Sequence, residues 1–250
     1  MKRLCVFLLC AAMFAFWGCA GSRSVPAAGS QDAGQAAGEA ARDSLRAKFV
    51  LTVIDTTGKP QELDAVLFSV PGKRYRMELT GPMGIGVASL LWTSEGWNMV
   101  FPTEKKYLSG VGYMVGVVGD ESIPVVPIHQ VADLFDGILV PEGSETLAES
   151  DSAGFKVVNA KAPNGFVFKY GKREGKVEWL SRMGTDGKPE ILKFSDFRTF
   201  ENVETPENIV FEKEGKTYLK IRIKKVTRKK AFSPGTWRLN VPKTYKRVGA

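Results

Sequence analysis

From Phe49 to Val241 the hydrophobic pattern has a period of two, and turn-forming residues break it at short intervals. Phe49, Leu51 and Val53 alternate with Val50, Thr52 and Ile54, and Tyr75, Met77 and Leu79 alternate with Arg74, Arg76 and Glu78. A period of two sends successive side chains to opposite faces of a strand. The breaks fall at Thr57-Gly58-Lys59-Pro60, Pro71-Gly72, Ser94-Glu95-Gly96, Pro163-Asn164-Gly165, Arg173-Glu174-Gly175, Asp186-Gly187 and Glu214-Gly215, all built from residues that favour tight turns. Strands this close in sequence leave no room for crossover helices, so they pair antiparallel. About eleven strands are expected. One sheet of that length curls into a barrel or partial barrel.

The pattern changes once, between Gly110 and Ser150. Ile128, Val131, Leu134, Phe135, Ile138 and Leu139 recur at helical spacing, with His129, Gln130, Asp133 and Asp136 on other faces. Pro127 suits a first helical turn and Pro141 stops the segment. The spacing predicts a 12-residue amphipathic helix from Ile128 to Leu139. Its apolar face has to cover something, and the concave face of the sheet is the nearest candidate. His129 is expected on the solvent side.

At the other end of the chain, Lys2 and Arg3 precede a 14-residue apolar run, Leu4–Trp17. That run is too short to span a bilayer, which takes about 20 residues, and has the length of a secretory signal. It stops at Gly18-Cys19, which resembles the lipobox of bacterial lipoproteins, although Phe16 and Trp17 stand where that motif usually has leucine and a small residue. Two readings follow. Cleavage before Cys19 with acylation of that cysteine makes residues 1–18 the signal, whereas Gly18-Cys19-Ala20 read as a small-x-small site makes Gly21 the first mature residue. Two or more acyl chains on Cys19 would anchor the protein stably. Ala20 in place of aspartate points to the outer membrane, with the protein facing the periplasm. Residues 19–44 are rich in Ala, Gly and Ser and nearly free of large apolar side chains, so they form a tether with a coil reach of about 25–30 Å. Residues 35–48 are compatible with a helix at the entrance to the 45–250 domain.

Residue counts exclude several chemistries. The three cysteines, Cys5, Cys10 and Cys19, all precede the domain, and His129 is the single histidine. A disulfide scaffold, a thiolate metal site or a nucleophilic cysteine cannot be built from what remains. Asp133, Asp136, Glu142, Glu145 and Glu149 show no catalytic pairing, and the glycine run Gly81–Gly86 lacks the Lys-Ser/Thr of a phosphate loop. No enzyme activity, catalytic residue, metal or cofactor is expected.

The stretch Arg74-Tyr75-Arg76-Met77-Glu78-Leu79-Thr80-Gly81-Pro82-Met83-Gly84 closely resembles a strand and loop of the LolB family of outer-membrane lipoprotein-localisation factors. Ile123-Pro124-Val125-Val126-Pro127-Ile128, with the helix and Gly137, resembles that family's proline-rich entry to a lid helix. The resemblance covers about residues 45–200. Beyond it, the basic strand Tyr218–Lys225 and the tail Phe232–Val248 look more like the wider superfamily that includes the periplasmic carrier LolA. The resemblance implies an α+β fold: an incomplete β-barrel, lined with apolar side chains and closed by a helical lid (Ile128, Val131, Leu134, Phe135, Ile138). It implies acyl chains as cargo, moved without covalent change from a LolA-like carrier into the inner leaflet of the outer membrane. Candidates for the lining are Phe68, Leu79, Leu91, Trp92, Phe101, Phe166, Phe168, Trp179 and Phe194, for each of which ordinary core packing is the leading alternative. Met83, with Ile85, matches the family's protruding apolar residue that enters the membrane; a buried loop methionine is the alternative. A monomer is expected. A lipoprotein of this fold with another lipid cargo or a role in envelope assembly, and a sensor of mislocalised lipoproteins, remain as rival readings.

The formal net charge is +8, yet residues 213–247 alone hold thirteen Lys or Arg against one acid, Glu214. Lys220, Arg222 and Lys224 share a strand face, and Arg228, Lys229 and Lys230 extend the run. They are candidates for contact with anionic lipid, a cation near such a surface contributing about 1 kcal/mol; a strand edge kept soluble by lysines is the alternative. Nucleic acid is excluded as a partner by export.

Overall fold

The computed structural model describes residues 43–55, 57–112, 128–184 and 187–248. Six strands open the fold: β1 (Ser44–Ile54), β2 (Pro60–Val70), β3 (Arg74–Thr80), β4 (Gly86–Thr93), β5 (Gly96–Phe101) and β6 (Lys106–Gly110). Helix α1 (Ile128–Phe135) follows. The second run is β7 (Glu145–Ser152), β8 (Phe155–Lys161), β9 (Val167–Arg173), β10 (Lys176–Met183), β11 (Pro189–Phe200), β12 (Val203–Lys213) and β13 (Lys216–Lys229), and the two-residue β14 (Lys246–Arg247) ends the chain's pairing. All belong to one curved sheet, in the order β14-β6-β5-β4-β3-β2-β1-β13-β12-β11-β10-β9-β8-β7. Every pairing is antiparallel except β14 with β6. The order is open-ended, so the barrel is incomplete. Fourteen strands exceed the expected eleven, and some of them carry no alternation to read. β7 is Glu-Thr-Leu-Ala-Glu-Ser-Asp-Ser, exposed throughout, and β14 has two residues.

Two meanders meet at a seam in which β1 pairs with β13 from Ser44↔Lys229 to Val53↔Leu219. Within the described part of the stretch expected to be helical, the entrance to the domain is strand: Leu45–Lys48 is paired on both sides, to β13 and to β2, and residues 35–42 lie outside the described residues. The basic segment Tyr218–Lys225, which lies beyond the stretch that carries the LolB resemblance, belongs to this central strand. One face of the seam is apolar. Leu45, Ala47, Phe49 and Leu51 of β1 lie beside Leu67 and Ala65 of β2 and Ile221 and Ile223 of β13, all buried. This face carries α1, whose Phe135 is fully buried with its ring centroid 4.9 Å from that of Phe49.

The helix has eight residues, not twelve. Gly137 (φ 75°) turns the chain: its N–H donates to the Leu134 carbonyl, and the Ile138 N–H donates to the Asp133 carbonyl. These two bonds are a Schellman motif, which needs the left-handed conformation that glycine adopts freely. The close is pinned to β13, where Arg228 Nη2 lies 2.7 Å from Asp136 Oδ1, and Arg228 Nη1 donates to the Phe200 carbonyl. Beyond β13 the tail crosses the opposite face of the first meander. Phe232 packs edge-on against Phe68, Arg74 covers the Trp237 ring, and Arg76 donates to the carbonyls of Thr236 and Arg238.

Replacing Gly137 with alanine combines an unfavourable φ with a Cβ that would lie 2.6 Å from the Glu204 carbonyl oxygen. Gly137→Ala is expected to cost about 3 kcal/mol in urea unfolding, against about 1–2 kcal/mol for alanine at exposed Gly58, which shares the unfavourable φ (82°) but has open space around its Cβ.

Candidate functional site

Between α1 and the second meander lies a cavity of about 310 Å³. Its floor is the buried set Phe168, Leu180, Leu192 and Phe211, one inward position on each of β9, β10, β11 and β12. Leu134, Ile138 and Leu139 cover it, and Pro141, Ala162, Pro163, Asn164 and Phe166 form its rim. One wall is polar: His129, Gln130 and Asp133 from one flank of α1, facing Arg182 of β10. Arg182 Nε donates to Glu190 Oε2 at 2.8 Å, and Nη1 reaches Gln130 Oε1 at 3.4 Å. Lys213 Nζ stands 3.9 Å from the other Glu190 oxygen. The Arg182 and Glu190 side chains are only 18% and 9% exposed, so this pair sits where solvent screens it weakly and loss of one partner would strand the other.

His129 lines the cavity rather than facing solvent, which corrects the expectation from helical spacing. Its flank of the helix turns toward β10 because the buried face is fixed by Phe135 on Phe49. Burial holds the imidazole pKa below its usual 6.5, opposed in part by the charge of Asp133. The unfolded chain then binds the proton more readily than the folded one. Stability contributed by neutral His129 is complete above pH 6.5 and falls as pH drops from there toward the folded-state value. Urea midpoints at pH 5 and pH 7.5 should differ less in His129→Gln than in the parent.

Met83 occupies a short 3-10 turn, Pro82–Gly84, between β3 and β4. The Gly81 N–H donates to the Ile85 carbonyl and the Gly84 N–H to the Gly81 carbonyl, closing the loop without help from the Met83 side chain. Met83 itself is left-handed (φ 61°) and 93% exposed, and Ile85 is also exposed. The alternative of a buried loop methionine is thereby excluded. Alternation of strand direction outward from the seam puts the loops after β3, β8 and β10 at one end of the sheet. The cavity rim (Ala162–Phe166) is the loop after β8, so cavity mouth and Met83 share that end.

The same architecture occurs in solved structures of low sequence identity. A domain described as an outer membrane lipoprotein-sorting protein, from Vibrio parahaemolyticus, superimposes with a TM-score of 0.51 at 8% identity over 78% of this chain and 89% of that one. A LolA superfamily protein from Nitrosomonas europaea gives 0.55 at 8% identity over 79% and 91%. The chain has the LolA/LolB-like fold. A DUF1329 family protein from Desulfovibrio piger is similar to it as well, with a TM-score of 0.56 at 12% identity over 80% and 91%. No family model matches the sequence, and no curated protein matches it.

Within this LolA/LolB-like sheet the lining candidates separate by register. Leu79, Trp92, Phe101, Phe168 and Phe194 are buried on the face that carries α1, and Phe166 stands at the cavity mouth. Of the nine, Phe166 and Phe168 line the cavity itself. Phe68 and Leu91 lie on the opposite face, one strand on either side of Arg76, where the tail covers Phe68. Trp179 is also on that face, its ring over Gly171 and edge-on to Phe155. These three cannot reach the cavity, because each is an odd step in sequence from a buried inward neighbour (Leu67, Leu90, Leu180). The lid candidates Ile128, Val131, Leu134 and Phe135 are buried, and Ile138 lies past the helix end.

Among the basic candidates, Lys220, Arg222, Lys224, Lys229 and Lys230 are exposed on or beside the outer face of β13, with Lys224 paired to Asp64 at 2.8 Å. Arg228 is different: its side chain is 16% exposed and held by Asp136, so it serves the helix and is withdrawn from any membrane contact. Cys19 and the segment Ile123–Pro127 lie outside the described residues. Among the described residues no helix is long and apolar enough to cross a membrane, and no cluster of His, Cys, Asp or Glu is placed to hold a metal.

Proposed function

We propose that the chain is an exported outer-membrane lipoprotein, anchored at Cys19 and facing the periplasm, that binds acyl chains beneath α1 and helps to receive lipoproteins and insert them into the membrane. The observation that carries this reading is a cavity with an apolar floor and one polar wall, rimmed by the loop after β8 at the sheet end that also presents Met83. The chemistry is transfer without covalent change. Each methylene moved from water into the cavity gains about 0.8 kcal/mol, so residence in Phe168, Leu180, Leu192 and Phe211 keeps an acyl chain from solvent until the bilayer offers an equal gain. A volume of about 310 Å³ is at the small end of ligand pockets, about 300–1,000 Å³. Cargo with several chains therefore needs α1 to move outward. A LolA-like periplasmic carrier is the donor in this scheme, and the inner leaflet of the outer membrane the acceptor.

The polar wall of His129, Gln130, Asp133 and Arg182 favours a second reading, in which the cargo is another lipid with a polar head. Mass spectrometry of lipid extracted from the purified protein separates the two: acylated peptide supports the first, glycolipid or phospholipid the second. For either, Leu139→Trp fills the cavity roof and should weaken binding of a fluorescent fatty acid about tenfold or more, with unchanged urea stability. Met83→Glu should leave that binding intact and slow cargo release into liposomes. Wild-type release by this variant would remove Met83 from the mechanism.

A further inference from the structure

Seven large apolar side chains are markedly exposed among the described residues, and five of them belong to the mouth end: Met83, Ile85, Phe166, Val167 and Met183. The last two form a patch. Phe168 pairs with Arg182, so the next step of the ladder sets Val167 level with Met183, and Met183 pairs with Pro189 of β11. Val167 (52% exposed), Met183 (58%) and Pro189 thus make a cross-strand row over three neighbouring strands, on the face turned away from the cavity. Polar residues normally occupy the outward face of an antiparallel sheet whose other face is buried. Lower on this face, Lys169 is exposed beside Ser181, and Lys161 flanks Val167, with Glu145 opposite it on the edge strand.

We infer that this row is a second bilayer contact, which acts with Met83 and Ile85 so that both halves of the open sheet engage the membrane across the cavity mouth. The inference builds on the proposed function and adds a site to it. The occupant is a lipid surface with anionic headgroups. An apolar tip backed by lysines matches the order of acyl boundary and headgroup layer, in which an apolar face sinks a few ångströms below the charges. Topology supplies the rest: the loop after β3 and the loops after β8 and β10 come from different meanders yet point the same way, so two anchors on either side of the mouth would aim it at the bilayer. A single loop would leave the domain free to rotate about it.

The test uses the chain from Ala20 onward, which keeps every described residue and contains no cysteine. Val167→Cys, labelled with nitrobenzoxadiazole, should blue-shift and brighten on vesicles of phosphatidylethanolamine with about 30% phosphatidylglycerol, whereas the label on Lys172→Cys, at the far end of β9, should not. Val167→Glu/Met183→Glu should weaken flotation with those vesicles about tenfold or more. Neither residue lines the cavity, so the double variant should bind the fluorescent fatty acid normally. If the Val167 label stays in water while the Met83→Glu variant loses vesicle binding, the second contact is wrong and the single-loop reading survives. If fatty-acid binding is absent in the parent but the label still inserts, the cavity reading fails and the contact stands. A row that proves to join two copies, with light scattering showing a dimer dispersed by the double variant and no vesicle insertion, overturns the inference.

Discussion

The pairing of β1 with β13 is the constraint on which the rest depends. It joins the first strand of one meander to the last regular strand of the other, so nearly the whole chain must be in place before it forms. Such long-range pairing is entropically demanding. Its reward is that Phe49, Ile221 and Ile223 come together as one apolar face at the centre of the sheet, and α1 docks there through Phe135. With the outermost strands left apart, the sheet curves without closing, and the helix completes the core that a closed barrel would otherwise complete by itself.

The helix position decides the site. Phe135 on Phe49 fixes its rotation, Arg228 on Asp136 fixes its end, and Gly137 lets the following chain turn away at once. One flank is then held over β9–β12 with a gap beneath it. Arg182, paired with Glu190 and in reach of Gln130, ties the other end of the helix to the sheet along the wall of that gap. The result is a gap with an apolar floor and one charged side.

Much of the architecture is legible along the chain. Period-two alternation and the Gly-containing turns yield the meanders, the helical spacing of Ile128, Val131, Leu134 and Phe135 yields α1, and Pro82-Met83-Gly84 announces an exposed tip. Strands without alternation escape notice, as β7 does, because an edge strand with no buried face needs no apolar residues. The length of α1 was legible too: Gly137 is the ordinary signal for a helix end, but Ile138 and Leu139 continue the apolar spacing past it. His129 could not be read, since nothing in its own sequence neighbourhood says which flank of the helix faces β10.

What the sequence determined alone is local: which residues alternate, where the chain turns, and that chemistry dependent on cysteine or several histidines is excluded. Whether a side chain on a strand faces inward is set by register and curvature, which are properties of distant pairings. Phe68, Leu91 and Trp179 look no different in sequence from Leu79 or Phe168, yet one step of parity puts them outside. Arg228 reads as part of a basic surface run, and only the arrival of Asp136 from 92 residues away makes it an internal ion pair. Period two divides residues into two faces; only the closing of the seam and the docking of α1 decide which face is the inside.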